Sequence, residues 1–562
     1  MTQLADQKSF WQQLLERKVS RRKAISTAVL AGAASALPLT ISSVEASNNG
    51  APTNPVGTTI NRRPPFKATP ATDLDALTLP VGYRYQVLAP WGEKINDRGD
   101  QIGFNHDFIG YFPIDMLEGG SSSTEALLTI NHEYVNPLFV GGETKERTKS
   151  QIEAEMKAVG ISVVRVKLEA SGWQIVQDAR NRRIDAFTEI ELTGPARGTA
   201  PVKGATKVKG SVGNCSGGQT PWGTLLTCEE NVDGYAKAWA GSGYEAMHQG
   251  WVTEIDPFNP NAIPKKHTAM GRFRHENAAV TVAKDGRVVV YMGDDMRDAC
   301  VYKFVSKGKF DPKDRDANLK LLEEGDLYVA DFGKGKWLLL DFEKNIKLKE
   351  AKKSDGTALV TSQAEVLGDA RASAIAIGAT PTDRPEDIEI HPKTGEVYIA
   401  LTNNSIHGNY FGQIIKLREK NNDWTASDFR WEPFAVGGAQ SGFGSPDNLV
   451  FDPYGNLWMV TDTGTWGKDT IYDFLGNNAM FFFPTEGPDA GKAYRFATGP
   501  VQCEMTGPVW SPDGKTLFLA IQHPGEDSES LEKLTSNFAA VPGTKIPRPT
   551  LVAIRGFPGW KA

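Results

Sequence analysis

The sequence contains few cysteines, four among 562 residues. In an exported chain four cysteines could form two disulfides, but a chain of this length buries a large core without such cross-links. Cys300 lies in a strand-like run, and Cys503 follows Pro500-Val501-Gln502. Both are most simply interpreted as small buried hydrophobes, so the sequence does not indicate a scaffold that depends on disulfides.

The sequence also lacks a basic surface and the common nucleotide, protease and hydrolase motifs. Charged residues make up 23% of the chain, the formal net charge is −6, and no long block of one sign occurs. Nucleic acid is therefore not predicted as a partner. There is no Walker-type phosphate loop, no His-Glu-x-x-His and no Gly-x-Ser-x-Gly, and Cys215 and Cys228 lack the Cys-x-x-Cys spacing of a zinc knot.

Residues 1–46 are predicted to be a targeting segment. Ser20-Arg21-Arg22-Lys23 precedes an apolar run from Ala28 to Ile41, and Val44-Glu45-Ala46 offers small residues for cleavage before Ser47. The run is too short to span a membrane comfortably, so no stable membrane anchor is predicted. Paired arginines before a weakly apolar core indicate a twin-arginine signal, with a Sec signal or an amino-terminal anchor as alternatives. That route carries folded proteins, so we expect the twin-arginine export machinery as a partner and a periplasmic or extracellular protein with a metal or other prosthetic group.

Residues 47–562 are predicted to form one all-β domain built from a repeated hairpin. Each repeat has a polar opening, an apolar strand, a Pro/Gly/Asp turn, a second apolar strand and a polar end. The clearest copies are residues 274–295, 384–404, 445–464 and 506–524. Turn residues between two apolar runs are typical of hairpins, and self-similarity at a fixed period is typical of propellers or solenoids.

The register of the repeat predicts six blades. Alignment of the openings makes six residues equivalent: Asp107, Cys215, Glu276, Glu386, Asp447 and Gly507. Their successive spacings are 108, 61, 110, 61 and 60 residues. A period near 60 fits a four-stranded blade, so we predict a six-bladed β-propeller with insertions near 135–212 and 305–383. The strand Thr550 to Arg555 is expected to pair with residues near Tyr83 to Leu88 and close the ring. A β-sandwich or two smaller β-domains are the alternatives.

The same register predicts a metal site. In a propeller the innermost strands open onto the central channel, so the equivalent acids and Cys215 are expected to share one small volume. Clustered carboxylates are costly there unless cations neutralise them or protons are taken up. Carboxylate and amide oxygens suit Ca²⁺, whereas a thiolate indicates a second, softer metal such as iron or zinc. Any one of these acids alone is more simply a turn or strand-end residue; the repetition favours metal.

Two arginines precede predicted metal ligands by two residues, Arg384 before Glu386 and Arg274 before Glu276. A guanidinium matches the geometry of phosphate or carboxylate. We therefore predict that both arginines bind substrate. A salt bridge that orients the acids is the alternative for each.

The chain resembles the PhoX-type alkaline phosphatases, which are exported by the twin-arginine route. The elements that carry the resemblance are Ser20-Arg21-Arg22, Asn131-His132-Glu133, residues 214–231, Arg274-His275-Glu276-Asn277, Gly293-Asp294-Asp295, Arg384-Pro385-Glu386-Asp387 and Ser445-Pro446-Asp447-Asn448. The resemblance implies a six-bladed propeller whose channel holds a pair of Fe³⁺ ions, bridged in part by a cysteine thiolate, with Ca²⁺ beside them. It implies that small phosphorylated substrates, phosphate monoesters and some diesters, are hydrolysed for phosphate scavenging by attack of a metal-bound oxygen.

Carried over residue by residue, the resemblance makes Cys215 the bridging thiolate, with Cys228 as the alternative. It makes Arg384 the arginine that grips phosphate, so Cys215 and Arg384 are the predicted catalytic residues. The predicted metal ligands are Cys215, Glu276, Glu386, Asp447, Asp387, Glu133, Glu229, Asp294, Asp295 and Asn448. The rival functions are a calcium-dependent lactonase or phosphotriesterase on a similar propeller, and a non-enzymatic secreted propeller that binds calcium.

Overall fold

The computed structural model describes residues 9, 11–18, 64–142, 146–464 and 470–560. Most of the predicted targeting segment, including the paired arginines and the cleavage site, lies outside the described residues. The described chain is built mostly of β-strands, which form six sheets around one channel and confirm the predicted six-bladed propeller. None of the helices in these ranges is long and apolar enough to cross a membrane.

Strand β1 (Arg84–Pro90) comes first in the chain and completes the last blade. Blade 1 contains β2 (His106–Pro113), β3 (Glu125–His132), β4 (Gly160–Glu169), β5 (Gly172–Ile175) and β6 (Arg182–Ile184). Blade 2 contains β7 (Glu189–Thr193), β8 (Lys207–Lys209), β9 (Asn214–Gln219), β10 (Leu225–Glu229), β11 (Val252–Ile255) and β12 (Lys265–His267). Blade 3 contains β13 (Ala279–Val282), β14 (Arg287–Gly293), β16 (Val301–Lys309), β17 (Gly325–Asp331) and β18 (Lys336–Leu339), and a separate ribbon pairs β15 (Arg297–Ala299) with β19 (Thr382–Asp383).

The remaining blades are regular four-stranded sheets. Blade 4 contains β20 (Pro385–Ile390), β21 (Val397–Leu401), β22 (Gln413–Glu419) and β23 (Phe429–Val436). Blade 5 contains β24 (Pro446–Phe451), β25 (Leu457–Thr461), β26 (Ala479–Phe483) and β27 (Tyr494–Thr498), and blade 6 contains β28 (Glu504–Trp510), β29 (Thr516–Gln522), β30 (Thr550–Arg555) and β1. The helices are short: α1 (11–18), α2 (Pro137–Val140), α3 (Lys149–Ala158), α4 (Tyr235–Ala238), α5 (Arg315–Asn318), α6 (Ile346–Glu350), α7 (Gln363–Gly368) and α8 (Ala370–Ile377).

Blade 6 closes the ring with strands from both ends of the described propeller. Strand β1 pairs antiparallel with β30, from Arg84 opposite Arg555 to Pro90 opposite Thr550. This pairing confirms the predicted closure. It ties the first strand of the ring to the last, so both ends of the described propeller belong to one blade.

The two long intervals between repeats contain strands that complete neighbouring blades, and they also contain short helices. Residues 135–212 supply β4 and β5 of blade 1 and also β7, which joins blade 2 by parallel pairing with β12. Residues 305–383 supply the helix α5, then β17 and β18 of blade 3, and then the helices α6 to α8. The extra length of these intervals therefore consists of helices and added edge strands.

Neighbouring blades pack through apolar side chains, so most strands are buried on both faces. In the strand β29 all seven residues are buried. Between blades 5 and 6, the rings of Trp458 and Trp510 lie 5.3 Å apart in an edge-on arrangement. Burial on both faces explains why the repeats appear in the sequence as continuous apolar runs and not as alternating patterns.

A second set of contacts between blades is polar and surrounds the channel. Asn277 Nδ2 donates to Ile388 O of the next blade at 2.7 Å. Asp387 Oδ2 accepts from Leu449 N at 2.8 Å, and Asn448 Oδ1 accepts from Gly507 N at 2.8 Å. Asn131 Nδ2 likewise donates to Cys215 O at 2.7 Å. We call these four side chains, Asn131, Asn277, Asp387 and Asn448, the interblade ring, because each fixes an inner strand to its neighbour.

Candidate metal centre

The openings of the inner strands meet in the channel, as the repeat register predicts. Three groups of side chains offer ligand atoms that lie within 4.8 Å of one another: Asp107 with Glu133 and Cys215, Cys215 with Glu230 and Glu276, and Glu276 with Glu386 and Asp447. Consecutive groups share a residue, so the seven form one continuous cluster drawn from blades 1 to 5. We call it the channel cluster. None of its members is more than 9% exposed.

Cys215 lies at the middle of this cluster. Its Sγ is 3.1 Å from Glu276 Oε2 and 3.3 Å from Asp107 Oδ2. Burial, followed by the charges of Asp107 and Glu276, raises the pKa of the thiol well above its ordinary value. In the metal-free protein the sulfur therefore keeps its proton, and only a bound cation would hold it as a thiolate.

Cys228 lies in a different environment. It is fully buried in the apolar core between blades, in the same cluster of side chains as Val252 and Val290. Burial raises the pKa of its thiol as well. Geometry thus brings Cys215, and not Cys228, to the channel cluster.

The carboxyl groups of the channel cluster are strongly perturbed. Burial, reinforced by the neighbouring charges, raises the pKa of Asp107, Glu230, Glu276 and Glu386 well above the ordinary range. It raises the pKa of Asp447 and of Glu133 to about 7. Two buried oxygens, Asp107 Oδ1 and Glu230 Oε1, have no hydrogen-bond partner among the described residues. A buried set of acceptors with too few donors is the environment that a cation completes, so these residues fit a metal site.

Arg384 lies at the edge of the channel cluster. Its Nε and Nη2 donate to the two carboxylate oxygens of Asp295 at 2.9 and 2.7 Å, and Nη2 is 2.7 Å from Glu386 Oε1. Burial alone would raise the pKa of Asp295, but the charge and hydrogen bonds of Arg384 outweigh it and lower that pKa. The backbone of Arg384 is left-handed, with φ 55°, and its side chain is 24% exposed. Asp295 and Glu386 thus hold the plane of a guanidinium that remains accessible.

Two residues border the cluster that the repeat alignment missed, Glu504 and Gln522. Gln522 Nε2 donates to Asp107 Oδ2 at 2.9 Å and to Glu133 Oε2 at 3.2 Å. Burial and the charges of Asp462 and Asp447 raise the pKa of Glu504 well above its ordinary value. The alignment placed Gly507 at the opening of blade 6. Glu504 lies three positions before Gly507 and is the single acid in residues 500–507, so the sequence did contain a signal for it.

Three predicted site residues are engaged elsewhere. Glu229 pairs with the buried Lys266 at 2.8 Å and accepts from Ser211 Oγ at 2.8 Å. Asp294 is held by the guanidinium of Arg371, whose Nε donates to it at 2.7 Å. The geometry therefore does not support Glu229 or Asp294 as metal ligands, and the adjacent Glu230 is the member of its pair that joins the channel cluster.

Arg274 is the third of these residues. Its Nη2 lies 3.9 Å from Asp233 Oδ2, and its side chain is about one-third exposed. Asp233 itself is largely exposed. The contact is long and solvated, so it orients the arginine only weakly.

Asp387 and Asn448 belong to the interblade ring and not to the three ligand groups. The carboxylate of Asp387 accepts from Ile388 N and Leu449 N at 2.9 and 2.8 Å. Asn448 uses its oxygen to accept from Gly507 N, and its amide nitrogen lies 3.1 Å from Asp447 Oδ1. Because that nitrogen faces the carboxylates, Asn448 meets the cluster as a donor and not as the oxygen ligand predicted from the sequence.

A family model described as "Alkaline phosphatase PhoX" matches residues 64–525, which include the whole channel cluster and Arg384. The chain belongs to the PhoX alkaline phosphatase family. It is 33% identical to the solved structure of Pseudomonas fluorescens PhoX in complex with vanadate, a transition state analogue, with a TM-score of 0.77 over 87% of this chain and 97% of that one. A gluconolactonase from Xanthomonas campestris, XC5397, is similar at 11% identity and a TM-score of 0.33, over 88% of this chain and 99% of that one. No curated protein matches the chain.

Membership of the PhoX family confirms the predicted activity. The protein is a metal-dependent phosphoric monoester hydrolase that acts on small phosphorylated substrates. The calcium-dependent lactonase and the non-enzymatic binding propeller are not favoured. The PhoX family assignment does not itself fix the metals or the ligands, which depend on the geometry of the channel cluster.

Proposed function

We propose that the channel cluster binds the metal ions with which this PhoX-family phosphatase hydrolyses its substrates. The observation that carries the proposal is the place of Cys215. Its sulfur belongs to two of the three ligand groups and lies within 3.3 Å of carboxylates from blades 1 and 3. A thiol placed among acids in this way would supply a soft ligand to a metal site whose other ligands are carboxylates.

The donor sets suggest two kinds of metal. The two groups that contain Cys215 combine sulfur with carboxylates and suit a pair of Fe³⁺ ions, whereas Glu276, Glu386 and Asp447 offer only oxygen and suit Ca²⁺. When bound, such ions neutralise the buried carboxylates, act as Lewis acids on the phosphoryl oxygens and activate the attacking oxygen. Asp295, which Arg384 holds beside Glu386, completes the set of proposed ligands.

The residues of the chain bind and orient the phosphoryl group. Arg384 uses Nε and Nη2 for its two carboxylate partners, which leaves Nη1 outside these ion pairs. We assign Nη1 to the equatorial oxygens of the substrate, where a fixed positive charge stabilises the charge that builds up in the transition state. Asp295 and Glu386 prevent the guanidinium from turning away.

The proposed setting is outside the cytoplasm. Residues 1–46 have the pattern of a twin-arginine signal, and export of a folded, metal-loaded chain accords with a site that uses residues from five blades. We therefore propose that the protein is periplasmic or extracellular and releases phosphate from small monoesters, and from some diesters, for uptake.

Elemental analysis combined with a phosphatase assay tests the proposal. Protein folded in its export host should contain iron and calcium and hydrolyse p-nitrophenyl phosphate, and a calcium chelator should reduce the rate while leaving iron bound. Vanadate, which the Pseudomonas fluorescens PhoX structure contains, should inhibit competitively. Active protein that contains calcium and no iron would contradict the two-metal assignment.

A further inference from the structure

Helix α1, residues 11–18, lies against the outer parts of blades 3 and 4. The ring of Trp11 stacks on Trp431 with centroids 4.9 Å apart and an interplanar angle of 23°, and it meets the edge of Phe332 at 5.1 Å. Trp11 is 1% exposed and Leu15 is 6% exposed. Both belong to the same apolar cluster as Phe429 of blade 4, so the helix completes the packing between these two blades.

Polar contacts fix the helix at both ends. Near its start, the side-chain amide of Gln12 donates to Asp383 Oδ2. At its end, Lys18 Nζ donates to Trp431 O at 2.5 Å and lies 4.5 Å from the centre of the Trp431 ring. Asp383 is fully buried and immediately precedes Arg384, so α1 contacts the segment that carries the phosphate-binding arginine.

The groove that receives α1 needs both blades. Phe332 follows β17 of blade 3, and Trp431 lies on β23 of blade 4. The two sides are joined by Trp431 Nε1, which donates to Phe332 O at 2.9 Å. A chain in which blades 3 and 4 have not packed together has no such groove.

We propose that α1 is an intramolecular ligand of this groove and docks only after blades 3 and 4 have folded together. Ser20-Arg21-Arg22 follows the helix. Docking of α1 therefore couples the part of the leader that precedes the paired arginines to the folded state of the propeller. Cleavage near Ala46 would remove α1 and leave Trp431 and Phe332 uncovered.

Hydrogen–deuterium exchange of the full-length, metal-loaded chain with residues 1–46 retained tests this proposal. The amides of residues 11–18 are expected to exchange at least about tenfold more slowly than those of a synthetic peptide of residues 1–23, because docking protects them. Trp11→Ala and Leu15→Asp, each alone, should return the exchange to the rate of the free peptide. Arg17→Ala, an exposed position of the same helix, should leave the protection in place.

The substitutions lie in the leader and outside the channel cluster, so phosphatase rates should stay close to the wild-type value. The melting temperature should fall only by the modest stability that docking of α1 contributes. Exchange of residues 11–18 in the wild-type chain as fast as in the free peptide would overturn the proposal. So would full protection in both Trp11→Ala and Leu15→Asp.

Discussion

The channel cluster and the interblade ring are two adjacent sets of buried polar side chains that differ in what satisfies them. Glu386 and Asp387 are neighbours in β20, and each is no more than 4% exposed. The carboxylate of Asp387 accepts two main-chain N–H groups. That of Glu386 faces Glu276, Asp447 and Arg384. The fold thus provides two main-chain donors for one acid and places its neighbour among other carboxylates beside a single arginine.

The comparison explains why polar residues occur in pairs at the openings of the repeats. In Glu276-Asn277, Glu386-Asp387 and Asp447-Asn448, the first residue belongs to the channel cluster and the second binds the next blade. Substitutions in the first position should therefore change metal binding and activity, and those in the second should change stability. The predictions below test that division, from the largest expected effect to the smallest.

Glu276→Gln should give the largest loss, because Glu276 belongs to two of the three ligand groups. Replacing a shared carboxylate with an amide removes charge from two proposed metal positions at once. We expect kcat/KM for p-nitrophenyl phosphate to fall by roughly 10³-fold, with metal lost in parallel. The matched control is Asn277→Asp on the adjacent ring position. Full metal content in Glu276→Gln would break the proposed assignment.

Arg384→Lys should reduce activity without loss of metal. Lysine keeps the positive charge but cannot hold Asp295 with two hydrogen bonds and present a third N–H group to phosphate. We expect kcat/KM to fall by about 10²-fold, measured beside elemental analysis of the same sample. An unchanged rate would show that the guanidinium does not grip the substrate.

The metal-free protein should lose stability as pH rises. The folded-state pKa of Asp447 and of Glu133 is raised to about 7, above the ordinary carboxyl values that apply in the unfolded chain. A raised carboxyl pKa gives stability that is present at pH 4 and is lost as pH rises through the folded-state value. In chelator, the unfolding free energy should be a few kcal/mol lower at pH 8 than at pH 5, as measured by urea titration. Bound metal should abolish or reverse this dependence of the unfolding free energy on pH. An unfolding free energy of the metal-free protein that does not change between pH 5 and pH 8 would contradict the prediction.

Asp387→Ala should destabilise the protein while sparing its metals. The substitution leaves Ile388 N and Leu449 N without their acceptor. We expect a loss of about 1–3 kcal/mol in unfolding free energy, measured in the metal-loaded state. Asp387→Asn, which keeps one oxygen acceptor, should lose less. Loss of metal with unchanged stability would instead place Asp387 in the metal site, as the sequence alone had predicted.

Arg274→Ala should have the smallest effect. Its side chain is partly exposed, and its contact with Asp233 is 3.9 Å long. We expect less than about a threefold change in kcat/KM, since solvated contacts of this kind contribute little. A change as large as that of Arg384→Lys would show that Arg274 does bind substrate.

The sequence was sufficient to predict the propeller, the ring closure and the side chains at the centre of the channel cluster. A hairpin that recurs every 60 residues also fixes which residues open onto the channel, so Cys215, Glu276, Glu386 and Asp447 could be named before any geometry was known. Alternation within a strand was harder to use. The inner strands carry irregularities in their pairing between Pro385 and Ile388 and between Pro446 and Leu449. At these irregularities the side chains of Asp387 and Asn448 face the next blade. The spacing of residues in the sequence does not predict this orientation.

Contacts between distant segments account for the other differences between the predicted ligands and the channel cluster. Glu229 and Glu230 are adjacent residues of the same type, so the sequence does not distinguish them. In the structure the buried Lys266 of β12 forms an ion pair with Glu229. Asp294 is held by Arg371, which lies on α8, a helix outside the repeats. The repeat alignment did not identify Glu504, because in blade 6 the acid lies three residues before the aligned position, Gly507.

The metal content of Cys215→Ser beside Cys228→Ser tests the central claim most directly. Both cysteines are buried in blade 2, but only Cys215 Sγ lies among the carboxylates of the channel cluster. We predict that Cys215→Ser loses iron and roughly 10²-fold or more of its phosphatase rate, whereas Cys228→Ser keeps both in its folded fraction. Wild-type iron content and rate in Cys215→Ser would contradict the account.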